Sequence, residues 1–164
     1  MKPVQREEIL DYVTYGEKRN EIQLSVLKQK EPRRIHLGEY MTFLFENTET
    51  IRYQIQEMMR VEQIVKEEAI LHEIRTYNEL IGEEGELGCV LLIEIADAQI
   101  RPQKLREWLG LQKKIYLIFD SGERVYAKWD KRQIDDEKLS SVQYLKFETS
   151  GRIPKGIGVD HPDL

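Results

Sequence analysis

Glu68 and His72 stand four residues apart, in a stretch from Glu49 to Ile81 that contains no Gly and no Pro. On a helix that spacing lets a carboxylate and an imidazole reach one ion, so the pair is the leading candidate for a divalent transition-metal site. Placed on one helix at 100° per residue, Glu57, Val61, Ile64, Glu68, His72 and Arg75 share a stripe. Ile64 and Leu71 mark it as inward-facing, where polar groups need partners. Glu57 would lie about 16 Å along the axis from Glu68, too far for the same ion. Further ligands must come from elsewhere, such as Glu46 or the tail's Asp160 and His161, with Glu57 as a candidate supporting residue. The plainer reading is an ion pair of Glu68 and protonated His72, with Arg75 closing a small network.

Other chemistry is sparse. The di-iron carboxylate bundles use Glu-x-x-His, but Ala69 stands three residues before His72, so that motif is absent. Asp160 beside His161 could orient an imidazole for general-base work or for a metal, although such a pair in a tail is more often turn chemistry. His36 alternates with Ile35 and Leu37 on an expected strand, and a solvated face accounts for it. Cys89, the single cysteine, lies in the apolar run Leu87–Ile95, where a thiol is a small hydrophobe with a raised pKa rather than a nucleophile. There is no P-loop and no Gly-x-Ser-x-Gly elbow, and Gly156-Ile157-Gly158 lacks a third glycine. Met58 and Met59 read as core filler, and Trp108, Trp129 and Tyr126 as packing or interface residues.

These residues must be positioned by the elements around them. Helical spacing over residues 6–13 and 17–30 predicts two short helices broken near Tyr15-Gly16, the second stopped by Pro32. Arg33–Leu37 and Tyr40–Glu46 read as a hairpin around Gly38-Glu39. Asn47 or Thr48 can cap the next element, either one long helix or a helix pair over about 49–81, with any bend near Lys66–Glu68. Leu87–Ile95 is a buried strand, and Gln103–Leu109 a short helix after Pro102. Lys114–Phe119 and Arg124–Trp129 flank the turn Asp120-Ser121-Gly122-Glu123, and Val142–Phe147 adds a strand. Residues 150–164 read as an irregular tail. The sum is a single α+β domain over 1–164, with helices packed on a mainly antiparallel sheet of five or six strands.

Bulk composition narrows the function classes. The 164 residues carry a formal net charge of −5, which argues against a dedicated nucleic-acid binder. No run approaches the roughly 20 apolar residues that span a bilayer, and no signal-peptide hydrophobic region opens the chain. One cysteine permits neither an internal disulfide nor a Cys-based cluster, which suits a reducing cytoplasm. Between Glu39 and Asp97 stand 14 Asp and Glu against 4 Lys and Arg. Such an acidic half suits a basic partner surface, a bound cation, or solubility alone.

Leu44-Phe45-Glu46-Asn47, Gln54-Ile55-Gln56-Glu57-Met58, His72-Glu73, Tyr77-Asn78 and Glu86-Leu87 together resemble an uncharacterised bacterial family, domain of unknown function 3501. Ser141-Val142-Gln143-Tyr144 and Val159-Asp160-His161-Pro162 strengthen the resemblance, which runs over nearly the whole chain. It implies a genomic setting beside rubrerythrin-like proteins and a cysteine-rich iron–sulfur protein, hence a cytoplasmic redox or oxidative-stress module. It singles out Glu46, Asn47, Gln54, Glu57, His72, Glu73, Asn78, Asp160 and His161 as a candidate polar site. Family members continue beyond the Asp-His-Pro stretch, whereas this chain ends at Leu164.

Two readings of function result. In the first, the chain is a non-enzymatic accessory or interaction subunit with no cofactor of its own. It docks an iron–sulfur or rubrerythrin-like protein partner through its acidic helical half. In the second it is a metal-dependent enzyme built on Glu68 and His72, which requires Asp160-His161 to fold back onto the helix. A homodimer burying helix ridges fits either one.

Overall fold

Asn47 begins the helical half of the molecule. Its side chain accepts from Thr50 N at 2.8 Å, while Thr50 Oγ1 accepts from Asn47 N at 2.9 Å, a reciprocal cap that satisfies two backbone donors. In the computed structural model, which describes residues 1–133 and 135–164, this cap opens α2 (Thr48–Glu62). Helix α3 (Glu67–Asn78) comes next, so the glycine-free stretch is a helix pair. The break comes at Gln63, which takes a left-handed conformation with φ 50° and ends α2. Without Gly or Pro, nothing local announces that position. The turn is set by burial of Ile51, Ile55 and Met59 on α2 against Ile70 and Ile74 on α3.

Helix α1 (Tyr12–Lys30) precedes the pair and is capped by Asp11, whose carboxylate accepts from Val13 N and Thr14 N. The break expected near Tyr15-Gly16 does not occur. Glycine in a helix costs only about 1 kcal/mol, and here Tyr15 is fully buried and the helix packs along α2. Residues 6–8 form a single 3₁₀ turn rather than a helix. Two amides clamp the N-terminal segment to the helix pair. Asn78 accepts from Val4 N at 2.8 Å and donates to Val4 O at 3.0 Å. Gln56 does the same for Leu10, at 2.7 and 3.0 Å. Val4 and Ile9 are thereby pinned into the helical core.

The strands are β1 (Arg34–Leu37), β2 (Met41–Phe45), β3 (Glu86–Ile93), β4 (Ile115–Ile118), β5 (Arg124–Tyr126), β6 (Lys128–Trp129), β7 (Val142–Glu148) and β8 (Gly156–Val159). They form two antiparallel sheets, one of five strands in the order β1-β2-β3-β7-β6 and one of three in the order β5-β4-β8. Alternation puts Met41, Phe43, Cys89, Leu91, Ile93, Leu145 and Phe147 on one face of the larger sheet. That face forms the main core with α4 (Arg101–Glu107), Trp108, Leu111 and the inward residues Ile115 and Leu117 of the smaller sheet. The fold is α+β, as expected, but the strands divide between two sheets. The expected second strand of the turn hairpin is likewise split, with Arg124–Tyr126 in the small sheet and Lys128–Trp129 in the large one.

The tail is also structured. β8 lies within residues 150–164 and pairs with β4 from Ile115↔Val159 to Ile118↔Gly156. A Cβ at Gly158 would come 2.6 Å from the end of the Tyr116 ring, so a larger residue would have to push that ring aside. On the opposite side of the large sheet, the chain leaving α3 crosses Gly88 so closely that a Cβ would collide with the Leu80 carbonyl oxygen. This contact fixes the end of α3 against the sheet.

Candidate functional site

Glu57 projects from α2 toward α1 and is the most heavily bonded carboxylate among the described residues. Arg19 donates to both of its oxygens, with Nη2 at 2.7 Å and Nε at 2.9 and 3.1 Å. Tyr15 and Tyr53 hydroxyls donate at 3.0 and 3.1 Å, and Arg60 Nε at 3.3 Å. The Arg19 guanidinium above all, with the two hydroxyls, holds the Glu57 carboxyl down to about 2. Burial, and then the neighbouring Glu57, raise the Tyr15 phenol. Glu57 is thus a strut joining two helices, with no oxygen left uncommitted for a metal.

Glu46 has the opposite surroundings. It sits at the end of β2, is 8% exposed, and takes a short hydrogen bond from Thr50 Oγ1. Burial pushes its carboxyl up, against the pull of Thr50, Lys30 and Arg33. Cys89 lies on the adjacent strand, opposite Phe45. Burial, followed by the field of Glu46, raises its thiol far above the ordinary range, so it is protonated and inert at neutral pH.

Glu68 and His72 both lie on exposed positions of α3, one turn apart. Among the described residues they form no hydrogen bond or ion pair with each other or with Arg75, so the expected network is not made; the His72 carbonyl accepts from Thr76 Oγ1. Because the chain breaks at Gln63, the continuous stripe from Glu57 to Arg75 does not exist. Among the described residues, no group of three or more His, Cys, Asp or Glu side chains is placed to share an ion.

Asp160 and His161 go elsewhere. Arg124 Nη1 and Tyr126 OH donate to Asp160 at 2.9 and 2.5 Å, and Asp160 N donates to Lys114 O at 2.9 Å. The Arg124 guanidinium also stacks over Tyr116, 4.2 Å from its centroid. His161 Nδ1 accepts from Asp163 N at 3.2 Å. The Asp-His-Pro stretch therefore clasps the small sheet rather than folding back onto α3. Asn47, Gln56 and Asn78, from the segments that carry the family resemblance, act as a cap and two clamps.

Two arrangements escape a linear reading. Between edge strand β1 and its neighbour β2, the buried Thr42 Oγ1 donates to Glu94 at 2.8 Å and lies 3.0 Å from His36 Nδ1. With its hydrogen on Glu94, Thr42 accepts from His36 Nδ1–H. The second arrangement is a cleft of about 700 Å³ between the C-terminal turn of α3 and the β6–β7 edge. Tyr77 and Leu80 supply its apolar wall, Lys128, Arg132 and Lys146 its cations, and Glu79 and Asp130 its carboxylates. Trp129, opposite Leu145, packs on the main core instead, where its Nε1 is buried without a hydrogen-bond partner among the described residues. The faint signal in sequence was the alternation of Tyr144 and Lys146 on one strand face, which gives no hint that α3 ends above it.

A family model described as "Protein of unknown function (DUF3501)" matches residues 3–161. A solved structure, a protein of unknown function from Burkholderia pseudomallei K96243, superposes with a TM-score of 0.87 at 30% identity. The match covers 99% of this chain and 89% of that one. No protein of curated function matches.

Proposed function

The chain belongs to the DUF3501 family, and on that premise we propose that it is a non-enzymatic accessory subunit. Its partner would be an iron–sulfur or rubrerythrin-like protein of a redox or oxidative-stress module. The observation that carries this reading is the surface around the α2–α3 corner. Glu62, Glu67 and Glu68 cluster there against Lys66, with Glu67 paired to Arg6 and Glu62 and Glu68 left exposed. Val61 and Val65 stand in this acidic field 68% and 65% exposed. Solvated carboxylates around exposed apolar side chains suit a rim-and-centre contact with a basic partner. The tightly bonded carboxylates, by contrast, serve the scaffold: Glu57 ties α1 to α2 and Asp160 holds the tail.

The test is affinity purification from native cells, with the wild-type chain beside a Glu62→Lys/Glu68→Lys variant. Retention of an iron–sulfur or rubrerythrin-like protein by the wild type, and its loss from the variant, is the expected result. A chain that purifies alone with about one transition metal per polypeptide, removed by His72→Ala, would overturn it in favour of the metal-enzyme reading.

A further inference from the structure

We propose that the cleft between α3 and the β6–β7 edge binds a small aromatic acid, a flat apolar ring system carrying one anionic group, with Lys146 as the anchor for the anion. The cavity of about 700 Å³ is in the range that encloses such molecules. Its walls combine Tyr77 and Leu80 with Lys128, Arg132 and Lys146, and its carboxylates Glu79 and Asp130 are both taken up by Arg132.

The strand register singles out Lys146. Lys128 and Lys146 are direct cross-strand partners, and like charges facing each other in that geometry repel. Lys128 is compensated, since its ammonium lies 3.2 Å from Glu86 and 3.6 Å from Glu148. Arg132 is compensated by Asp130 and Glu79. Lys146 feels Glu86 and Asp130 through space, but its ammonium forms no ion pair or hydrogen bond among the described residues. A ligand anion at Lys146 would offset the repulsion and supply the missing partner, while its ring lies against the apolar wall. This inference is independent of the proposed docking surface, because the cleft faces residues of β6 and β7 and needs no second protein.

A matched pair of fluorescent probes tests it: 1-anilinonaphthalene-8-sulfonate, and N-phenyl-1-naphthylamine, which has the same ring system without the sulfonate. The wild-type chain should bind the sulfonate about tenfold more tightly than the neutral probe. Lys146→Gln should abolish that preference and leave binding of the neutral probe unchanged, and Lys146→Glu should invert it. Thr76→Trp, on an exposed turn at the mouth, should weaken both probes. Equal affinity of the wild type for the two probes would overturn the proposal. So would an unchanged ratio in the Lys146 variants, or undiminished binding of both probes by a folded Thr76→Trp chain.

Discussion

Glu57 and Glu46 show how environment assigns opposite roles to the same side chain. Glu57 is ionised and saturated by Arg19, Tyr15 and Tyr53. Its folded pKa is depressed to about 2, so its contribution is fully present above the ordinary carboxylate range and drains away as pH falls toward 2. Glu57→Gln should destabilise by about 2 kcal/mol at pH 7, because it weakens charge-assisted bonds and strands Arg19. Urea melts should show that difference shrinking between about pH 5 and pH 2. Glu46 has its folded pKa raised by burial, so the charged form is the unfavourable one. Its protonated form favours the folded state below the ordinary carboxylate pKa, and that stability is lost as pH rises through the folded value. Glu46→Gln can still accept from Thr50 and removes the buried charge. It should therefore stabilise the chain at pH 7 by about 1 kcal/mol, or a melting-temperature rise of about 2–4 °C, and the gain should fade on acidification. A drop in melting temperature for Glu46→Gln would show that the carboxylate is needed in its ionised form.

At the scale of elements, the close crossing at Gly88 joins the two cores. β3 presents Leu87, Cys89 and Leu91 to the main core, while Leu80, which packs on the helical core, lies against the other side at Gly88. Gly88→Ala drives a methyl into a backbone oxygen, and neither strand nor helix end can move without disturbing a core. The expected loss is about 3 kcal/mol or more, read by thermal melting. Much of the element pattern was legible in sequence. Asn47 as a cap, the β3 run, the β4–β5 turn and the helix after Pro102 are local signals with local causes. The α2–α3 break was only bracketed, because Gln63 carries no turn preference of its own. Continuous α1 was missed because the packing of Tyr15 outweighs a modest glycine penalty.

The whole molecule depends on its last residues more than their composition suggests. β8 covers one edge of β4, and Ile157, Val159 and Leu164 pack on the main core. Removing residues 156–164 should leave β4 with an open edge and an uncovered core. A broad, early melt is the expected outcome, and an unaltered transition would show the small sheet to be self-sufficient. Asp160→Asn should leave the melting temperature nearly unchanged, since exposed ion pairs contribute little. Residue types and periodicities were sufficient by themselves for the α+β class, most element positions and the inert character of Cys89, because those depend on neighbours within a few positions. The grouping of the chemical side chains was settled only by tertiary packing. Helix packing brings Glu57 to Arg19, a strand pairing carries Asp160 to Arg124, and the end of α3 roofs a cleft over Lys146. Most of these arrangements involve residues tens of positions apart, where the deciding energy is burial and register rather than local preference.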